Sequence, residues 1–158
     1  MSDGFPATLH YHHTGIFVSD LERSIKWYED VLGYKFAFRR VYDLPGPGPV
    51  DMCWLKHEDH YIELYGFNNG QRPFDLGDYW ASIGTKHLCL WVKNEEFEPL
   101  AAYFQAKGVE FMVKARHSEE TVGKPGGEGV MYIKDPDGIP IEIQEEIWPE
   151  KYPHLLST

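Results

Sequence analysis

Cysteine is scarce in this sequence. Cys53 and Cys89 are its whole complement, too few for the disulfide framework of a small secreted domain. Long apolar runs are missing too: none approaches 18 residues, and the first residues show neither a basic stretch nor an apolar core of a signal peptide. Those two shortages lead us to expect a cytoplasmic protein with no membrane as partner. Positive charge is the third shortage. Fifteen Lys and Arg face 25 Asp and Glu, a formal charge of −10 with no basic run, which argues against nucleic acid or an anionic membrane as partner. What the chain does have is apolar and aromatic material, 42% and 15% of its 158 residues. That is enough for a core and an apolar pocket.

The order of hydrophobic patterns predicts a repeat. His13 to Val18 alternates as a strand, with Thr14, Ile16 and Val18 on one face and His13, Gly15 and Phe17 on the other. Ser19-Asp-Leu-Glu22 reads as a capping box that starts a helix. Leu21, Ile25, Tyr28 and Leu32 recur at helical spacing, and Gly33 stops it. Extended segments near 34–42 and 50–56 follow, then a polar turn at 57–60 and a strand at 61–65. The plan then returns. His87 to Val92 alternates like the first strand, and a helix from about Glu95 carries Phe97, Leu100, Ala101 and Phe104 before Gly108. Strands near 109–114 and 129–134 precede the turn Asp135-Pro-Asp-Gly138 and a strand over 139–143. We expect an α+β fold of two tandem βαβββ modules forming a curved sheet. Module 1 is about 10–66, module 2 about 85–146, with a connecting segment at about 67–84, all in one domain over 8–146 and a tail at 147–158. The 66–84 stretch and the glycine-rich 115–129 stretch are both long enough to be substrate-covering loops.

The repeat carries chemistry with it. His13 precedes Glu63 by 50 residues and His87 precedes Glu142 by 55, at matching places in matching modules. A lone strand His or Glu is most often an ordinary polar residue; four at equivalent positions are not so easily explained. Strand parity puts Ile62 and Leu64 on one face and Tyr61, Glu63 and Tyr65 on the other, and turns Ile139, Ile141 and Ile143 away from Glu142. His13, Glu63, His87 and Glu142 would then share the face away from the helices. Two imidazoles and two carboxylates suit one divalent ion per site: Zn, Ni, Co, Mn or Fe. His12 has the parity of the aliphatic face and is the weaker candidate. Phe17, Tyr61, Tyr65, Cys89 and Trp91 share the ligand-side parity, which predicts a partly aromatic pocket. Simple packing is the plainer role for any one of them, and Cys89 has no companion thiol.

The sequence resembles the vicinal oxygen chelate superfamily, which includes glyoxalase I, methylmalonyl-CoA epimerase, fosfomycin- and bleomycin-resistance proteins and extradiol dioxygenases. The likeness covers about residues 10–146. It is carried by the strand and helix from His13 to Gly33, by Lys86-His-Leu-Cys-Leu-Trp-Val92, and by Asp135-Pro-Asp-Gly-Ile-Pro-Ile-Glu142. It implies His13, Glu63, His87 and Glu142 as ligands, the same set that parity selects. Bleomycin-type binders lack such a set, so its presence implies an enzyme acting on a small molecule. The resemblance also implies a homodimer, with the site either within one chain or across the interface.

Two reactions compete within that resemblance. In the glyoxalase or epimerase reading, the metal chelates neighbouring substrate oxygens and an enediolate forms as a carboxylate moves a proton, with Glu142 or Glu63 as the catalytic carboxylate. Glyoxalase I has an Arg four residues after its first His and an Asn four residues after its first Glu. Phe17 and Phe67 stand at those places here, with Asn68 one step late, which points away from glutathione. In the extradiol reading, His13, His87 and Glu142 hold Fe²⁺ and leave positions for a catechol and O₂. Met131-Tyr132, Asp135-Pro136, Gly138 and Glu142 resemble that signature, but its preceding His is missing and His117 is a poor substitute. Tyr132 joins the expected substrate contacts on this basis. Thiol transfer to an antibiotic and non-catalytic binding are further alternatives. Four protein ligands favour the proton-transfer class.

Overall fold

The structure is a computed structural model describing residues 11–44, 48–58, 60–67, 84–117 and 129–146. The chain divides into two compact units, 1–73 and 74–158, and each has the same order of elements. Unit 1 runs β1 (His13–Val18), α1 (Leu21–Leu32), β2 (Lys35–Leu44), β3 (Gly48–His57) and β4 (His60–Phe67). Unit 2 runs β5 (Leu88–Val92), α2 (Asn94–Ala106), β6 (Phe111–Arg116), β7 (Val130–Lys134) and β8 (Pro140–Glu145). Their sheets are ordered β1-β4-β3-β2 and β5-β8-β7-β6. In both, the first strand lies parallel to the last and the other pairings are antiparallel. The tandem βαβββ expectation holds.

Alternation decides which face of each sheet is covered. In unit 1, Ile16, Val18, Cys53, Leu55, Ile62 and Leu64 are buried, as are Leu21, Ile25 and Tyr28 of α1. The helix lies against β2, β3 and β4. In unit 2, Met131, Ile133, Ile141 and Ile143 are buried along with Phe97, Ala101 and Phe104 of α2, which packs against β8. Each large side chain removed from water in this way contributes about 1.5–3 kcal/mol.

The first helix begins differently from the expected capping box. Asp20, in extended conformation, is the N-cap, and its side chain accepts from the backbone N–H of Arg23 at 3.0 Å. Ser19 instead accepts a bond from the Arg23 guanidinium at 3.0 Å. A carboxylate caps at least as well as a serine hydroxyl and also complements the helix dipole. Gly33 ends the helix at φ 72°, a left-handed conformation that costs a residue with Cβ. The Asp135-Pro-Asp-Gly138 turn forms as expected. Asp135 Oδ1 accepts from the backbone N–H groups of Asp137 (2.9 Å) and Ile139 (2.8 Å), and Gly138 takes φ 82°.

Candidate functional site

In each unit the histidine and the glutamate of the candidate set lie side by side. In unit 1, the parallel register sets Gly15 opposite Glu63. His13 stands two residues before Gly15 on the same side of β1 and brings Nε2 to 3.2 Å from Glu63 Oε2. In unit 2, Cys89 is opposite Glu142. His87, two residues before Cys89, brings Nε2 to 2.8 Å from Glu142 Oε2. The sequence repeat is therefore a repeat of register. A divalent ion with bonds of about 2.0–2.1 Å sets neighbouring ligand atoms roughly 2.8–3.4 Å apart, depending on the angle between them. Both pairs fall in that range, so each fits as two adjacent ligands. Without an ion the same separations close each pair as a His–carboxylate contact. Among the described residues, no group of three or more His, Cys, Asp or Glu is placed to hold a metal; the donors come as pairs.

The two carboxylates differ in how firmly they are held. Trp54 lies opposite Glu63 on β3, and its Nε1–H donates to Oε1 at 2.7 Å. The Tyr65 hydroxyl donates to Oε2. The Glu63 side chain is 7% exposed, against 14% for Glu142. In unit 2 the residue opposite Glu142 is Tyr132, whose ring meets His87 edge-on with centroids 5.5 Å apart. A Cβ at Gly15 would lie 3.3 Å from the Tyr65 ring and 3.8 Å from Glu63 Oε2. Glycine there keeps the space beside this carboxylate open.

Residues 10–143 match the sequence model of the Glyoxalase/Bleomycin resistance protein/Dioxygenase superfamily. The chain belongs to this superfamily. Among glyoxalase-superfamily relatives, a lactoylglutathione lyase of Pseudomonas putida is 25% identical, the match covering 87% of each chain. A lactoylglutathione lyase of Schizosaccharomyces pombe is 27% identical over 87% of this chain, but this chain spans only 47% of that protein's length. Among solved structures, the glyoxalase family protein APC24694 of Bacillus cereus aligns with a TM-score of 0.70, covering 94% of this chain and 99% of that one. At 18% identity it shows the fold alone.

The remaining site residues of this glyoxalase-superfamily chain fall into place unevenly. Phe17 stacks on Tyr65 with centroids 4.9 Å apart, yet it is 45% exposed, and Trp91 is 52% exposed. Tyr61 tilts against Trp54 at 5.5 Å. Partial burial, followed by its bond to Glu63, pushes the Tyr65 hydroxyl up to about 12. Cys89 is exposed as a residue, but desolvation of its sulfur and the adjacent Glu142 carboxylate push the thiol up to about 12. That leaves it a poor nucleophile at neutral pH. His117 Nε2 lies 3.4 Å from Glu145 Oε1, so its partner is not the His87–Glu142 pair. Most of the two expected loops, with Asn68 and the side chain of Phe67, lies outside the described residues.

His12 corrects the parity argument. Its parity assigns it to the aliphatic face, but the rings it touches are those of the Glu63 side. The His12 ring stacks on Tyr61 at 5.8 Å and meets Trp54 edge-on at 5.2 Å, with Nδ1 2.8 Å from His13 Nδ1. This contact occupies the far nitrogen of His13 and leaves Nε2 turned toward Glu63, the orientation that a partner of a ligating histidine supplies. Trp54 was also missed. Its signal was present, since an indole N–H on a half-buried strand needs an acceptor, but the acceptor lies on another strand.

Proposed function

We propose that the chain is a divalent-metal-dependent lyase or isomerase of the glyoxalase or epimerase kind, transferring a proton next to a carbonyl of a small molecule. The observation that supports this most is the equivalent register of the two His–Glu pairs, each at the separation of adjacent metal ligands. In this reading His13, Glu63, His87 and Glu142 hold one ion, drawn from Zn, Ni, Co, Mn or Fe, and the chain works as a homodimer. Such an ion supplies Lewis acidity, drawing electron density from a substrate carbonyl and acidifying its neighbouring C–H. Glu142 moves the proton. Its carboxylate is the less enclosed of the two, whereas Trp54 and Tyr65 hold both oxygens of Glu63 in place. Glu63 is the fixed ligand, and Phe17, Tyr61, Tyr65, Trp91 and Tyr132 contact the substrate.

Elemental analysis tests the ligand set. Wild type is expected to carry one ion per site, and His13→Ala, His87→Ala or Glu142→Ala to lose most of it. Full occupancy in the His87→Ala protein would overturn the assignment. Solvent-deuterium exchange at the α-carbon of 2-hydroxycarbonyl and 2-acyl thioester candidates then tests the reaction. The extradiol alternative draws on Tyr132, which stands against His87 where that reading expects a tyrosine. Anaerobic loading with Fe²⁺, a catechol panel and admission of air separates the two. Rapid oxygen uptake with a yellow product would favour ring cleavage and demote Glu63 to a supporting residue.

A further inference from the structure

Arg40 is a cation on the His13–Glu63 face of unit 1. Residues paired across neighbouring strands project to the same side, and the register gives two adjacent rows. One runs Phe38, Trp54, Glu63, Gly15; the next runs Arg40, Met52, Tyr65, Phe17. A bulge in β2 between Phe36 and Phe38 sets Phe36 opposite Leu55 but Phe38 opposite Trp54, so Arg40 falls on the His13–Glu63 side. Its neighbour Arg39 points the other way and is taken up by Asp51 and Glu22. Arg40 has no carboxylate partner among the described residues, in a chain of net charge −10. Its guanidinium lies instead over the Tyr42 ring, 4.0 Å from the centroid, and 5.8 Å from that of Phe38. Aromatic faces hold a guanidinium in place while leaving its edge N–H donors to bind something else. Phe38 itself is stacked on Trp54 at 5.2 Å, so an aromatic surface runs from the cation to the Glu63 clamp.

We propose that Arg40 selects the substrate: it receives a carboxylate of a small acid whose carbonyl end is held at the His13 and Glu63 side of the same face. This rests on the metal-site reading above and adds the substrate's charge to it. A planar guanidinium binds a carboxylate through two parallel N–H donors. The two groups lie two strands and one row apart, about 12 Å between Cα atoms by strand spacing. That separation calls for an acid with several atoms between its carboxylate and its carbonyl.

The test uses the Zn²⁺-loaded protein and hydroxamates as chelating probes, followed by isothermal titration. Acetohydroxamate is neutral beyond its chelating group; the monohydroxamates of succinate, glutarate and adipate add a carboxylate at increasing distance. At least one acid is expected to bind wild type about tenfold or more tighter than acetohydroxamate, the scale of a charge-assisted contact. In Arg40→Met that preference should vanish while acetohydroxamate binds as before, and Arg40→Lys should restore part of it. Two results would overturn the proposal alone: acetohydroxamate binding wild type with no acid binding tighter, or Arg40→Met keeping the preference. Failure of the protein to retain Zn²⁺ at all is a different result, and it removes the metal-site reading and this proposal together.

Discussion

Trp54→Phe isolates the clamp on Glu63. The substitution keeps an aromatic ring on β3 but deletes the Nε1–H that reaches Oε1 at 2.7 Å. Glu63 is only 5% exposed as a residue, so water cannot readily replace the lost donor. A hydrogen bond to a charged acceptor contributes about 1.5–3 kcal/mol, more than a neutral one, because the unpaired carboxylate keeps its desolvation cost. Tyr65 and His13 still contact Oε2, which places the expected loss near the middle of that range, about 2 kcal/mol. For a chain of this size that lowers Tm by roughly 4–8 °C. The smaller ring also loses packing against Phe38, so the single variant cannot apportion the effect. The decisive assay is a double-mutant cycle with Glu63→Met, which removes the acceptor at similar side-chain length, measured by urea denaturation of the metal-free protein. A coupling of about 1 kcal/mol or more is expected. Coupling under about 0.5 kcal/mol would show that the bond does not anchor Glu63. Zn²⁺ affinity measured by chelator competition should fall about 10–100-fold in Trp54→Phe, the usual effect of removing a ligand's supporting partner.

Arg39→Met should cost about 0.5–1 kcal/mol at pH 7, since the Arg39–Asp51–Glu22 cluster is partly exposed and screened. The Arg39 guanidinium, through its hydrogen bonds, holds the Asp51 carboxyl below the ordinary aspartate range. That stabilisation is full above the unfolded-state value and fades as pH falls through the lower folded value; urea midpoints of the two proteins should therefore converge under acid conditions, and a constant gap would refute the assignment. Burial pushes the Cys53 thiol up to about 11, so a disulfide reagent should modify it at pH 7 only at the rate of unfolding, and fast labelling of the folded protein would contradict its burial. With Phe17 and Phe67 in place of the polar contacts expected in glyoxalase I, turnover of the methylglyoxal–glutathione hemithioacetal should be poor; rates like those of an ordinary glyoxalase I would show that other residues supply those contacts.

The sequence by itself determined the features that depend on local periodicity. Two βαβββ modules, α1 ending at Gly33, the Asp135–Gly138 turn and the inward faces of β1, β4 and β8 all follow from alternation, helical spacing and turn chemistry. The repeat also singled out His13, Glu63, His87 and Glu142, and each histidine lies beside the glutamate of its own unit. Tertiary structure decided whatever depends on which strand pairs with which. Trp54 meets Glu63 only because β3 and β4 pair in the register that sets them opposite each other. His12 reaches His13, Tyr61 and Trp54 although its parity points to the other face, a contact visible only in three dimensions. Arg40 shows the limit most clearly: strict alternation would keep it on the face of Phe36, and one bulge in β2, held by pairing with a distant strand, turns it to the other.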